Sequence, residues 1–161
     1  MDKKIFQKNS MLYFRFAEPE DVKDLFRWRN DEATRQASFN TDKISFEEHK
    51  KWFEETLADP KRNLFIICDK ECNKLGQIRL DKKDNVAEIH ITINPNYRNQ
   101  GIGSLSLFKV VHTYINNFGS KQVIAKVKKD NMSSLKAFEK AGFKMHEKHD
   151  DYIELRYENE K

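Results

Sequence analysis

The chain has 161 residues and a mass of 19.2 kDa, enough for one domain around one core and too little for two. Apolar residues make up 38% and charged residues 35%, yet 12 Phe, 5 Tyr and 2 Trp supply bulk for a core, which excludes a wholly disordered chain. The 30 Lys and Arg interleave with 26 Asp and Glu to leave a net charge of +4, a solvated surface and not a nucleic-acid-binding stripe.

Leu12 to Ala17 alternates as a short strand, and Pro19 opens a helix with Val22, Leu25, Phe26 and Arg29 on one stripe. Asn30 to Asp42 reads as a polar loop carrying Phe39. Ser45 and Glu48 form a capping-box pair, and Phe46, Phe53 and Leu57 continue at helical spacing until Asp59-Pro60. Strands follow near Leu64 to Cys68 and Leu75 to Leu80, spaced for a hairpin, with a turn at Lys82 to Asn85. Val86 to Ile93 is the cleanest strand: Ala87, Ile89, Ile91 and Ile93 share one face, while Glu88, His90 and Thr92 share the other. From Gly101 a helix runs to about Phe118 on a stripe of Leu107, Phe108, Val111, Tyr114, Ile115 and Phe118, and Gly119 stands where helices end. Gln122 to Val127 is a further strand. Asn131 caps a helix bearing Leu135 and Phe138, which Gly142 ends before a strand-rich segment from Phe143 to Tyr157.

Cys68 and Cys72 are the only cysteines, with neither a second Cys pair nor a nearby His pair, so both read as structural and no metal is expected. No apolar run approaches the roughly 20 residues of a membrane span, and Met1 to Met11 lacks a signal-peptide core. The expected setting is the cytoplasm, without membrane or nucleic-acid partners.

The chemistry concentrates in Asn94-Pro95-Asn96-Tyr97-Arg98-Asn99-Gln100-Gly101-Ile102-Gly103, a short loop joining a strand to a helix opened by two glycines. Amides at a helix start lack partners within the helix and sit at its positive end, so they can hold a diphosphate with backbone alone. The loop matches neither the P-loop nor the three-glycine dinucleotide pattern. Glu88 and His90 lie on the polar face of the strand entering it.

Arg98-Asn99-Gln100-Gly101-Ile102-Gly103 resembles the [QR]-x-x-G-x-[GA] hallmark of the GNAT N-acetyltransferases, and Asn131 through Phe138 to Gly142-Phe143 resembles a second element of that family. The likeness spans roughly Leu12 to Tyr157. It implies an α/β (α+β) fold, one domain over residues 1–161 whose mixed central sheet has about six to seven strands flanked by about four helices. Acetyl-CoA is the implied co-substrate, its diphosphate on the amides of Arg98, Asn99, Gln100, Gly101, Ile102, Gly103 and Ser104. Its pantetheine arm would pair with the backbone of Ile91, Thr92 and Ile93, and Asn131 and Phe138 would add contacts from the second element. Lys128 and Lys129 could face the adenosine phosphates.

Acetyl transfer to an amine needs a proton acceptor and an oxyanion donor. The resemblance makes Glu88 the expected base, directly or through water, with His90 second, and a backbone N–H near Ile91 to Ile93 the oxyanion donor. Phe138 departs from the family, in which a Tyr often stands at this position to protonate the leaving thiolate. Tyr97, Tyr114 or water could substitute, or the thiolate could leave unaided. No Cys or Ser nucleophile with a His base is suggested, so transfer is direct.

Trp28-Arg29-Asn30-Asp31, Ser38-Phe39-Asn40, Ile44 to His49 and Trp52-Phe53 look like the subgroup that N-acetylates UDP-linked 4-amino sugars for pseudaminic-acid-type surface glycans. Arg29, Asn30, Phe39 and His49 are the corresponding acceptor-binding candidates, Arg29 for a diphosphate and the rings for stacking. The alternatives are an N-terminal acetyltransferase of a ribosomal protein, which would favour an acidic groove, and a non-catalytic acetyl-CoA-binding protein. A homodimer is the default assembly.

Overall fold

A computed structural model of the chain describes residues 12–118 and 120–158; Met1 to Met11, Gly119 and Asn159 to Lys161 lie outside them. Seven strands form one sheet in the order β1-β2-β3-β4-β5-β7-β6. They are β1 (Tyr13–Phe16), β2 (Arg62–Cys68), β3 (Lys74–Lys83), β4 (Val86–Ile93), β5 (Gln122–Lys128), β6 (Lys144–Lys148) and β7 (Tyr152–Glu158). The five α-helices are α1 (Val22–Asn30), α2 (Glu32–Ala37), α3 (Phe46–Ala58), α4 (Ile102–Phe118) and α5 (Met132–Lys140). The sheet is mixed: β4 and β5 run parallel, joined by the α4 crossover, and the other neighbours run antiparallel.

Strand alternation sorts the core onto two faces. On β2, Leu64, Ile66 and Cys68 pack with Leu25 and Trp28 of α1 and Phe53 of α3, while Ile67 joins the opposite cluster. There Ile78, Leu80, Ile89 and Val123 meet Leu107, Val111 and Tyr114 of α4 and Phe138 of α5. Among the described residues no helix is long and apolar enough to cross a membrane.

One sequence expectation needs correction and two gain sharper bounds. The loop expected from Asn30 to Asp42 contains α2, which buries no residue and so has no apolar stripe to announce it. It is held by its cap, Asp31 accepting from the Thr34 amide at 3.1 Å. The turn expected over Lys82 to Asn85 is narrower: β3 runs to Lys83, and the reversal comes at Asp84, whose φ is 57°. The strand-rich segment from Phe143 to Tyr157 resolves into two antiparallel strands, β6 and β7. With α2 counted, the described residues hold five α-helices where about four were expected.

Candidate active site

The cleft arises where β4 and β5 part. Their pairing covers only Val86–Glu88 against Gln122–Ile124, while β4 continues to Ile93 on β3 and β5 continues to Lys128 on β7. The Asn94 amide donates to the Leu75 carbonyl at 2.9 Å, which fixes the phase of the antiparallel β3–β4 ladder. Strict alternation then turns the N–H and C=O groups of Thr92 and His90 toward β3, and those of Ile91 and Ile93 toward the opening. A cleft of about 870 Å³ fills that opening.

At one end lies the strand-to-helix loop. Asn94 Oδ1 accepts from the Asn96 amide at 3.1 Å, Asn99 and Gly101 take positive φ of 62° and 78°, and α4 starts at Ile102 with no acidic residue in its first turn. A Cβ built on Gly101 would meet no heavy atom within 4 Å, so this backbone borders open space. Residues 98–104 all line the cleft, as do Asn131 and Phe138. These features fit a diphosphate: amides at a helix start, the positive end of its dipole and an unobstructed approach.

The side chains expected at this end have other attachments. Arg98 donates to Asp31 and to Thr34 Oγ1, the latter at 2.9 Å, so its guanidinium ties the loop to α2. Thr34 was not expected, and Asp31 stood only within the Trp28-Arg29-Asn30-Asp31 motif, without a partner in this loop. Burial raises the Asp31 pKa, but Arg98 and the Thr34 amide outweigh it and lower it. Asn131 Oδ1 caps α5, accepting from the Ser134 amide at 3.2 Å. Lys128 donates its Nζ to the Gln36 and Ser38 carbonyls at 2.8 and 3.2 Å, pinning the C-terminal end of α2. Phe138 is buried edge-on to Phe143, the centroids 5.0 Å apart.

In the middle, the polar face of the sheet carries a charged network. Asp81 stands opposite Glu88, and Arg79 opposite His90. His90 Nε2 lies 3.1 Å from Glu88 and 3.5 Å from Asp81, within ion-pair reach of both and aligned for a hydrogen bond with neither. Lys126 Nζ sits 3.2 Å from the other Glu88 oxygen, and Arg79 Nε 3.0 Å from Asp81. The adjacent His90 ring, 3.1 Å away, overcomes burial with help from Lys126 and holds the Glu88 pKa at about 2. Burial lowers the His90 pKa, but Asp81 and Glu88 outweigh it and raise it. A carboxylate this acidic is a weak base. His90 and Lys126 line the cleft, whereas Glu88 sits behind them. Asp81, Arg79 and Lys126 were missed, although Arg79-x-Asp81 beside Glu88-x-His90 on adjacent strands is a pairing signal.

The N-terminal third supplies the far end. His49 is 3% exposed among the rings of Phe26, Trp52 and Phe53. Burial, reinforced by Arg29, depresses its pKa to about 4 against a hydrogen bond to the Val22 backbone, so the ring is neutral, and its Nε2 has no partner among the described residues. Arg79 lies over Trp52, 5.2 Å from the ring centroid. Phe39 is exposed and edge-on to Tyr152 at 5.8 Å. Arg29 reaches the Asn40 carbonyl at 3.2 Å. Asn30 does not reach the cleft wall: its amide exchanges bonds of 2.8 and 2.9 Å with the Ile44 backbone, and it faces a neighbouring groove. Tyr114 is buried in the core off the cleft wall, and Tyr97, also buried, reaches it. The wall carries Arg29, Arg79, Arg98, Lys126, Lys136 and Lys140 and, among the described residues, no Asp or Glu.

Residues 11–144 match the acetyltransferase (GNAT) domain family. An N-acetyltransferase 9-like protein from Caenorhabditis briggsae is 26% identical over 142 residues, 79% of this chain and 71% of that one. A spermidine N-acetyltransferase from Vibrio cholerae, solved with CoA and spermine, superposes with a TM-score of 0.83 at 17% identity, over 91% of this chain and 95% of that one. A domain from Methanocaldococcus jannaschii superposes with a TM-score of 0.81 at 23% identity, over 94% of this chain and all of that one (100%).

Proposed function

The chain belongs to the GNAT acetyltransferase family, and from that premise we propose that it transfers the acetyl group of acetyl-CoA directly to the amine of a UDP-linked 4-amino-4,6-dideoxy sugar. The observation that carries the acceptor is the sign of the cleft wall, whose charged residues are all basic among those described. A polycation such as a polyamine would meet repulsion there, and a peptide amine would lack an acidic partner. A nucleotide diphosphate gains attraction on approach through Arg29, which bonds only to the Asn40 and Asp42 carbonyls and has no carboxylate partner among the described residues, whereas Arg79 and Lys126 are offset by Asp81 and Glu88. With the other ring nitrogen hydrogen-bonded to the Val22 backbone, the neutral His49 leaves Nε2 as an acceptor, which suits a hydroxyl or ring N–H of the acceptor, and its aromatic neighbours suit a flat base.

In this reading the amides of residues 98–104 hold the diphosphate of acetyl-CoA, and the cleft-facing backbone of Ile91 and Ile93 pairs with its pantetheine arm and supplies the oxyanion donor. The bound co-substrate brings an activated thioester. His90 takes the proton from the acceptor ammonium, and Glu88, fixed as an anion behind it, stabilises the imidazolium. Phe138 donates no proton, so the departing thiolate takes one from the attacking amine or water. UDP should inhibit competitively against the acceptor and not against acetyl-CoA. Inhibition kinetics read both, and an acceptor KM unmoved by UDP would overturn the nucleotide-sugar assignment.

A further inference from the structure

His90 is held from two strands, and the second of these carries a residue without a role so far. Its Nε2 is fully buried and faces Glu88 of β4 and Asp81 of β3. The side chain as a whole is 39% exposed and lines the cleft, so the accessible edge of the ring is the one bearing Nδ1. Asp81 is itself fixed: both its oxygens accept from Arg79 Nε, at 3.0 and 3.2 Å, and the Arg79 guanidinium rests on Trp52.

We propose that Asp81 is a positioning residue for acetyl transfer: facing Nε2 together with Glu88, it keeps the neutral ring's proton there and leaves Nδ1 to the cleft as the base. The inference rests on the acetyltransferase reading. An imidazole presents one donor and one acceptor nitrogen, and an acceptor set against one of them dictates which is which. The acceptor R–NH3+ passes one proton to Nδ1, giving R–NH2 and an imidazolium whose Nε2–H remains between the two carboxylates. The N–C bond then forms and the C–S bond breaks. The second amine proton goes to the thiolate to give CoA–SH, and His90 returns its proton to solvent. The charged groups around the ring are Arg79 and Asp81 from β3, Glu88 on its own strand and Lys126 reaching Glu88 from β5. With the ring neutral the two acids balance the two bases, and the imidazolium adds one positive charge that the carboxylates face directly.

The test is the pH dependence of kcat/KM for the acceptor in wild type, Asp81→Asn and Asp81→Glu, beside long-range 1H–15N spectra of the His90 ring. Wild-type kcat/KM should rise with pH through the His90 pKa. Asp81→Asn should move that limb down by about one pH unit and lower kcat at least about tenfold with KM for acetyl-CoA unchanged, and Asp81→Glu should restore most of both. The spectra should give the Nε2–H form in wild type. An unmoved limb with kcat within about twofold, in an enzyme that turns over, would overturn the role of Asp81 and leave the acetyltransferase reading standing. A wild-type chain that acetylates no amine would remove that reading, and the spectra would still decide: an Nδ1–H ring, or a His90 pKa equal in wild type and Asp81→Asn, overturns the inference.

Discussion

Two glycine substitutions, Gly101→Val and Gly103→Ala, separate the geometry of the phosphate loop from the space it leaves for a ligand. Gly101 holds a φ of 78° and a Cβ there would meet nothing within 4 Å. The cost in the unliganded protein is therefore conformational, about 1–2 kcal/mol for a left-handed residue, or about 3–6 °C in Tm for a domain this size. Gly103 lies inside α4, and its Cβ would make ordinary contacts at 3.9 Å to Ala137 and 4.0 Å to Ile93. Ala there should stabilise the helix by about 0.8 kcal/mol, raising Tm by about 2–3 °C. Acetyl-CoA at 100 times its Kd should add about 2.7 kcal/mol to wild type and to Gly103→Ala. Gly101→Val should forfeit that gain, because its side chain projects where the diphosphate lies. Thermal unfolding with and without acetyl-CoA reads both effects, and titration calorimetry checks the affinity. A full ligand-induced shift in Gly101→Val would refute the phosphate-loop reasoning.

Asp21 is 1% exposed and bound by Arg15 at 2.8 Å and Lys74 at 2.7 Å; burial raises its pKa, but these partners and the Glu18 amide hold it at about 2, against 3.8 unperturbed. Its contribution, about 2 kcal/mol, is present above pH 4 and lost as pH falls toward 2. Urea unfolding of Asp21→Asn should lack that acid-dependent step; an unchanged step places the loss elsewhere. His49→Phe keeps the aromatic packing and removes the acceptor nitrogen, so the acceptor KM should rise about tenfold at constant acetyl-CoA affinity. The same variant should lose a pH effect, since neutral His49, with its pKa at about 4, costs stability as pH falls from 6.5 to 4. Steady-state kinetics and pH-dependent melting check the two, and an acceptor KM equal to wild type would remove His49 from the acceptor pocket.

The strand from Val86 to Ile93 and the glycine pair opening α4 were legible because each combines a strong period or turn signal with position along the chain. The α2 segment was not: it buries nothing and is held by Arg98 and Lys128, each more than sixty residues away in sequence. Glu88 and His90 were found by alternation on one strand. Their relation to the cleft was not, because it depends on Asp81 across β3 and Lys126 across β5, which only strand register reveals. Arg98 was located correctly along the chain, but its side chain finds a carboxylate on α2 that no local pattern announces.

The most direct measurement is CoA release from acetyl-CoA with a UDP-4-amino-4,6-dideoxy sugar, run beside spermidine and N-terminal peptides, with products identified by mass. The basic cleft wall predicts acetylation of the sugar nucleotide, with spermidine and the peptides at least about a hundredfold less efficient in kcat/KM. Equal or better acetylation of spermidine or of a peptide would contradict the acceptor assignment.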